Sequence, residues 1–177
     1  KNWGLIYFRV SIRWKVDFLT RVIAFKEWDI VCKALEEGRQ SLILRKGGIH
    51  EGREGFSFAH DEFVLFPTRF HAQGEYVKIP SVVAKPEWEI GDEVVINSKV
   101  KVTKAVTLTD WNEVAALADQ HIWTEDTIRD RFFWEGKGMA SGSIHVAYVE
   151  VEKLNDPVRF DYSKKHGGCR SWVEIDL

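Results

Sequence analysis

The clearest structural signal in the chain is the run Val94-Val95-Ile96-Asn97-Ser98-Lys99-Val100-Lys101-Val102-Thr103. Its first three residues are β-branched, and its last five alternate polar with apolar side chains, the period of two that a half-buried strand requires. Asn97 and Ser98 separate the two halves and are residues that favour turns. The run therefore predicts an antiparallel hairpin.

Helical patterns lie on both sides of this hairpin. Apolar residues recur at three- and four-residue spacing over 25–37, and Gly38 follows as a C-terminal stop, which predicts a helix there. Two short helices are predicted near 110–119 and 125–133, the second capped by Thr124. Further strands are predicted at 41–45, between 56 and 66, at 144–151 and at 171–175. The order predicts an α+β fold with a curved or barrel-like antiparallel sheet and flanking helices.

The composition indicates one domain. The 177 residues are 45% hydrophobic and include eight Trp and eleven Phe, which is ample material for a single core. No repeat or linker divides the chain, so we expect residues 23–177 to form one domain and residues 1–22 to be an N-terminal extension of uncertain structure. Residue 1 is Lys and the sole methionine is Met139, which indicates a missing start or a piece of a longer chain.

Charge and cysteine content narrow the classes of function. Lys and Arg number 25 against 27 Asp and Glu, so any anion-binding surface must be local. Cys32 and Cys169 lie far apart and form no Cys-x-x-Cys pair, so no metal, cofactor or disulfide framework is predicted. No apolar run reaches the ~18 residues of a membrane helix, and we expect a cytoplasmic protein with no membrane contact. The oligomeric state stays open.

The most suggestive binding motif is Arg45-Lys46-Gly47-Gly48-Ile49-His50. Cationic side chains beside a glycine turn can present charge and backbone N–H groups to a phosphate or carboxylate, and we expect Arg45, Lys46, Gly47, Gly48 and His50 to do so. The run matches neither a Walker loop nor a dinucleotide-binding fingerprint. The structural alternative is a strand end with a solvated basic tip.

A second candidate motif is Phe66-Pro67-Thr68-Arg69-Phe70-His71. A base could stack on Phe70 while Arg69 holds its phosphate and His71 lies beside them. The alternative is that both phenylalanine rings belong to the core.

A third motif, Lys164-Lys165-His166-Gly167-Gly168-Cys169-Arg170, is again basic and contains glycine, and Trp172 follows it. A solvated loop is the alternative. If this loop and the one at 45–50 fold to the same side, Lys165, Arg170 and Trp172 would share one positive groove with Arg45, which would reconcile nucleic-acid binding with a net acidic chain.

No catalytic residue is predicted. The six histidines show no zinc spacing, no serine lies in a Gly-x-Ser-x-Gly elbow, and Cys169 has no evident base other than His166. Two alternatives to nucleic-acid binding stay open. One is a small nucleoside or nucleic-acid hydrolase that uses His50, Glu51 or His71, and the other is a protein-interaction or regulatory domain that uses exposed aromatic residues.

Several runs resemble the domain-of-unknown-function family numbered eighteen-oh-two: Phe25-Lys26-Glu27-Trp28, Leu44-Arg45-Lys46-Gly47-Gly48-Ile49-His50-Glu51, Phe63-Val64-Leu65-Phe66-Pro67-Thr68 and Gly168-Cys169-Arg170-Ser171-Trp172-Val173-Glu174. Some members of that family are joined to restriction-endonuclease-like domains. The resemblance implies a nuclease or restriction partner by association only.

A weaker similarity is to PUA-like modules of the ASCH and EVE kind, which bind RNA or modified bases. Their Gly-x-Lys-Thr-x-Glu-x-Arg pattern is similar to Gly38-Arg39-Gln40-Ser41-Leu42-Ile43-Leu44-Arg45. Gln40 replaces the lysine and Ile43 the glutamate that hydrolytic relatives use as an acid/base pair. The hypothesis is therefore a non-catalytic PUA-like module that binds DNA or RNA, with modified or ordinary bases left open.

Overall fold

The structure is a computed structural model that describes residues 21–46, 58–79, 85–133 and 142–176. Six strands form one mixed sheet in the order β2-β5-β4-β3-β1-β6. The strands are β1 Arg21–Trp28, β2 Leu42–Lys46, β3 Glu62–Thr68, β4 Glu93–Leu108, β5 Ile144–Asp161 and β6 Trp172–Asp176. The α-helices are α1 Asp29–Glu36, α2 Trp111–Ala115 and α3 Glu125–Phe132, and 3₁₀ turns span Gln73–Tyr76, Ala118–Gln120 and Lys164–His166.

One pair of neighbouring strands is parallel. β1 runs alongside β3 from Ala24 opposite Val64 to Trp28 opposite Thr68, whereas every other pairing in the sheet is antiparallel. The predicted α+β class is confirmed, and the sheet departs from antiparallel pairing at this one place. Because parallel strands end at the same edge of a sheet, Trp28 and the residues after Thr68 lie next to each other.

The hairpin predicted within 94–103 is wrong. β4 is one strand of 16 residues, and its register with β5 shifts between Ile96 and Ser98. Asn97 lies opposite residues 154–157 of β5, so the extra residues of this irregularity belong to β5, and β4 continues through Asn97 without reversing. β5 is likewise one strand of 18 residues, longer than the predicted 144–151.

The helix predicted over 25–37 is correct only in its second part, because residues 21–28 form β1 and the helix begins at Asp29. Ala24 through Glu27 are all buried, since both faces of β1 are covered. A strand buried on both faces loses its alternation of polar and apolar residues, which is why its pattern was mistaken for a helix. The stop at Gly38 is confirmed by its φ of 70°.

The other two predicted helices are present. Asp110 accepts a hydrogen bond from the Asn112 backbone N–H and begins α2, which ends at Ala115, short of the predicted boundary. Thr124 caps α3 by accepting a bond from the Thr127 N–H, as predicted. Of the helices in the described ranges, none is both long and apolar enough to cross a membrane.

Two apolar cores cover opposite faces of β1. Phe25 belongs to the larger core, together with residues of β2, α1 and α3, such as Leu44, Leu35 and Ile128. Ala24 belongs to a smaller core with Phe66 and other residues of β3, β4 and β6. β1 is therefore covered on both faces, and the residues at its C-terminal end are held in place by both cores.

Candidate functional site

A pocket of about 540 Å³ opens where β1, β2 and β3 end opposite α3. We call it the aromatic pocket and define it by its lining residues Trp28, Leu44, Arg45, Lys46, Phe70, Tyr76, Thr127, Asp130 and Arg131. Its volume lies within the range of about 300–1,000 Å³ that small-molecule sites occupy. The parallel pair of strands creates it, because Trp28 and Phe70 follow the adjoining ends of β1 and β3.

The apolar wall of the aromatic pocket is built around Trp28. Its indole meets Phe70, Tyr76 and Trp123 edge to face, with ring centroids 4.5, 5.5 and 4.7 Å away. Trp123 is fully buried, whereas Tyr76 is exposed at the rim. Interlocked rings of this kind have little rotational freedom, so the wall is a preformed apolar surface.

Arg45 occupies the pocket floor and is fixed by several contacts. Its Nη1 lies 3.4 Å from Oε2 of Glu27, a carboxylate that is 1% exposed. The guanidinium also donates a hydrogen bond to the Lys26 carbonyl and lies 4.4 Å from the centre of the Phe25 ring. Glu27 in turn accepts a bond of 2.8 Å from the Trp28 backbone N–H. Arg45 is thus a largely buried, preoriented cation.

Arg131 enters the same pocket from α3. Its guanidinium lies 3.7 Å from the centre of the Trp123 ring and donates a 3.4 Å hydrogen bond to the Leu44 carbonyl. Burial lowers the pKa of Arg131 to about 10, the Glu27 carboxylate acts in the opposite direction, and Arg45 lowers it further. Arg131 therefore remains a cation at neutral pH.

Lys46 completes the cationic side of the aromatic pocket. Burial lowers the pKa of Lys46, Arg131 lowers it further, and Cys169 raises it. The three cations Arg45, Lys46 and Arg131 face two carboxylates, Asp130 at the lining and Glu27 behind it, so the formal sum is +1. A site with excess positive charge next to apolar rings can hold an anionic group joined to a planar ring.

A second cavity of about 360 Å³ lies along β6, and we call it the edge cleft. Its lining residues are Ile23, His60, Lys165, Arg170, Trp172, Val173 and Glu174. Lys165 forms a 2.8 Å ion pair with Asp176, and Arg170 donates a 3.1 Å bond to the Lys165 carbonyl. The Trp172 ring packs on Phe25 with centroids 4.7 Å apart, so it serves the core as well as the cleft.

The residues that the sequence singled out are divided between these two places. Arg45, Lys46 and Phe70 line the aromatic pocket, and Lys165, Arg170 and Trp172 line the edge cleft. Arg69 lines neither, since its guanidinium lies 3.2 Å from the centre of the Trp88 ring. His71 is exposed beside Phe70, and Gly47, Gly48 and His50 lie outside the described residues.

Sequence reasoning missed Arg131, Trp28, Tyr76 and Glu27 as site residues. Arg131 and Trp28 fall within the helices predicted at 125–133 and 25–37, and neither is singled out there as a site residue. A usable signal was present in Glu27, because a carboxylate inside an otherwise apolar run is rarely buried without a partner.

Of the three residues named for the hydrolase alternative, His50, Glu51 and His71, the structure describes only His71. Glu51 lies outside the described residues, and His71 does not line the aromatic pocket. In the part of the chain that the structure describes, no three His, Cys, Asp or Glu side chains come together as a metal ion would require.

Three solved structures of ASCH proteins from Zymomonas mobilis are similar to this chain. A serine-to-alanine mutant is 10% identical, with a TM-score of 0.48 over 77% of this chain and 72% of that one. An ASCH structure without a named mutation is 12% identical, with a TM-score of 0.42 over 72% and 66%. A tyrosine-to-phenylalanine mutant is 12% identical, with a TM-score of 0.46 over 77% and 73%. At these values we infer nothing about this chain from them.

Comparison with family models is decisive where the other comparisons are not. None of the curated proteins compared with this chain matches it. A family model described as "Domain of unknown function (DUF1802)" matches residues 24–177, which include β2 to β6, most of β1, the aromatic pocket and every lining residue of the edge cleft except Ile23. The chain belongs to this DUF1802 family.

Proposed function

We propose that this chain is a nucleic-acid-binding module without catalytic activity of its own, and that one nucleotide of the DNA or RNA occupies the aromatic pocket. The observation that carries the proposal is the convergence of Arg45, Lys46 and Arg131 beside the rings of Trp28, Phe70 and Tyr76. A module of this kind would bring a nuclease partner to its target, the association that the family resemblance implies.

The two kinds of side chain have separate tasks in this proposal. Lys46 and Arg131 contact a phosphate, because cationic donors form the strongest hydrogen bonds with anionic oxygens. The aromatic wall takes the base, and stacking on such a surface contributes roughly 1–3 kcal/mol per base. Arg45 orients the site from beneath, since its guanidinium already contacts Glu27 and the Lys26 carbonyl.

The structure also decides which cation to remove in a test. Replacing Arg45 would leave the carboxylate of Glu27 buried without its ion-pair partner, so lost folding would obscure lost binding. Lys46 is the better position because it lines the pocket at the more exposed end of β2. Lys153→Ala is the matched control, since it removes the same charge from an exposed position that lines neither cavity.

The experiment measures the affinity of fluorescently labelled single- and double-stranded oligonucleotides, DNA and RNA, as a function of salt. We expect binding that weakens with salt, and a Lys46→Ala variant whose log–log slope is shallower by about 0.7–0.9. Lys153→Ala should retain the wild-type slope, and far-ultraviolet circular dichroism should be the same for all three proteins. No salt-dependent binding, or equal slopes for Lys46→Ala and the wild type, would refute the proposal and favour the protein-interaction alternative.

A further inference from the structure

We propose that the edge cleft is a second contact for the same nucleic-acid strand, so that the ligand is a single strand of several nucleotides rather than a mononucleotide. The chain leaving the aromatic pocket crosses the Gly168–Arg170 segment and places a following phosphate against Arg170 and Lys165. This inference rests on the proposed function, because it requires the aromatic pocket to hold a nucleotide.

Lys26 joins the two cavities. Its carbonyl accepts a hydrogen bond from Arg45 of the aromatic pocket. Its backbone N–H donates to the Ser171 carbonyl at 2.7 Å, and its ammonium group donates to the Gly168 carbonyl at 2.7 Å. A single residue of β1 therefore contacts the floor of one cavity and the segment that borders the other.

The distance between the cavities suits a polynucleotide. Phe25 lies between them, with its ring 4.4 Å from the Arg45 guanidinium and 4.7 Å from the Trp172 ring. β1 and β6 are neighbouring strands, which are separated by about 4.8 Å in a sheet. Stacked nucleotides rise about 3.4 Å per residue along one strand, so about two or three nucleotides beyond the one in the pocket span the separation between the Arg45 guanidinium and the Trp172 ring.

Positive charge continues along this route. Burial lowers the pKa of Lys26, and Arg170 lowers it further, so the two cations act on each other. Cys169 raises the pKa of both Lys26 and Lys46, which puts the 168–170 segment within electrostatic range of the pocket and of β1.

Arg170 is suited to receive a phosphate. It is exposed, it donates to one backbone carbonyl, and within the described ranges it forms no ion pair. Trp172 and His60, whose rings are 4.9 Å apart in an edge-to-face contact, offer ring edges next to it. A positive path flanked by aromatic groups is the arrangement that proteins use for single strands, whereas a paired base has to leave its duplex before it can enter a pocket of this size.

A length series tests this inference. Affinity is measured for a dinucleotide, a tetranucleotide and an octanucleotide of the same composition, using wild type, Arg170→Ala and the control Arg159→Ala. Arg159 is an exposed arginine of β5 paired with Glu93, and it lines neither cavity. We expect wild-type affinity to rise with oligonucleotide length. Arg170→Ala should weaken octanucleotide binding by about tenfold and reduce the log–log slope of affinity against salt concentration by about 0.7.

The dinucleotide separates this inference from the proposed function. One of its nucleotides occupies the aromatic pocket and the other does not reach the edge cleft, so Arg170→Ala should bind it as well as wild type does, whereas Lys46→Ala should bind it more weakly. Lys165→Ala should repeat the length-dependent loss in weaker form. If affinity does not rise with length, or if Arg170→Ala weakens all lengths equally or not at all, the second contact is refuted. Dinucleotide binding that still depends on Lys46 would then leave the proposed function standing.

Discussion

The aromatic pocket and the edge cleft both combine cations with aromatic rings, but they differ in how far their charges are buried. In the pocket, the side chains of Arg45 and Glu27 are 14% and 1% exposed. In the cleft, those of Lys165 and Asp176 are 52% and 54% exposed. The same kinds of residue therefore form a preorganised group in one place and a solvated surface in the other.

This difference predicts which substitutions affect folding and which affect binding alone. A buried charge has lost its hydration and depends on its protein partners, so removing one partner destabilises the fold. An exposed charge keeps most of its hydration, and its ion pair contributes little to stability.

Glu27→Ala should have the largest effect. It leaves Arg45 and Arg131 as buried cations without the carboxylate between them, and it removes the acceptor of the Trp28 N–H. We expect the free energy of unfolding to fall by about 3–5 kcal/mol, measured by urea denaturation. The control Glu174→Ala removes an exposed carboxylate paired with Arg21, and should cost less than about 1 kcal/mol. Equal losses in the two variants would contradict the contrast between the cavities.

Stability should fall on acidification because of His121, which lies behind the aromatic pocket near Arg131. Burial, followed by Lys78 and Arg131, lowers the pKa of His121 from 6.5 to about 4. Between these values the unfolded chain binds more protons than the folded one, so His121 stabilises the fold fully above pH 6.5 and loses that contribution as the pH falls towards 4. The shift corresponds to about 3 kcal/mol.

Urea denaturation across that pH range checks the histidine prediction. His121→Gln should show a smaller fall in stability on acidification than the wild type, because Gln does not titrate. The control His71→Gln replaces an exposed histidine, and it should leave the pH dependence unchanged. The prediction fails if His121→Gln and the wild type lose stability in parallel.

Arg131→Lys should weaken binding while preserving charge. Lysine cannot reproduce the planar stacking of the guanidinium on Trp123 at 3.7 Å, nor present its donors in the fixed planar fork that matches a phosphate. We expect a loss of about 1–2 kcal/mol in oligonucleotide affinity, close to tenfold, measured by fluorescence titration. Arg129→Lys is the control on the same helix, since Arg129 is exposed and paired with Glu125. If both variants bind alike, the guanidinium of Arg131 has no special role.

Lys165→Ala should have the smallest effect on folding. Its ion pair with Asp176 is exposed on both sides, so the free energy of unfolding should change by less than about 1 kcal/mol. A loss comparable to that of Glu27→Ala in the same denaturation assay would show that the edge cleft is as tightly coupled to the fold as the aromatic pocket.

The sequence by itself determined the features that depend on neighbouring residues. The cap at Thr124 and the stop at Gly38 are predicted correctly, and the strand predicted at 41–45 is present as β2, Leu42–Lys46, because each depends on local backbone chemistry. The family resemblance and the α+β class were also accessible, since they rest on runs of consecutive residues and on element order.

Only the tertiary structure decided where long-range contacts fall. Phe25 lies in a strand and not a helix because it is buried against Phe63 and Trp172. Asn97 lies at a register shift and not in a turn because β5 pairs with both halves of β4. The aromatic pocket likewise needs Arg131 from α3 beside Arg45 from β2. No local pattern encodes that approach, because it arises from packing between segments distant in sequence, and packing overrides local propensity when both faces of a strand are buried.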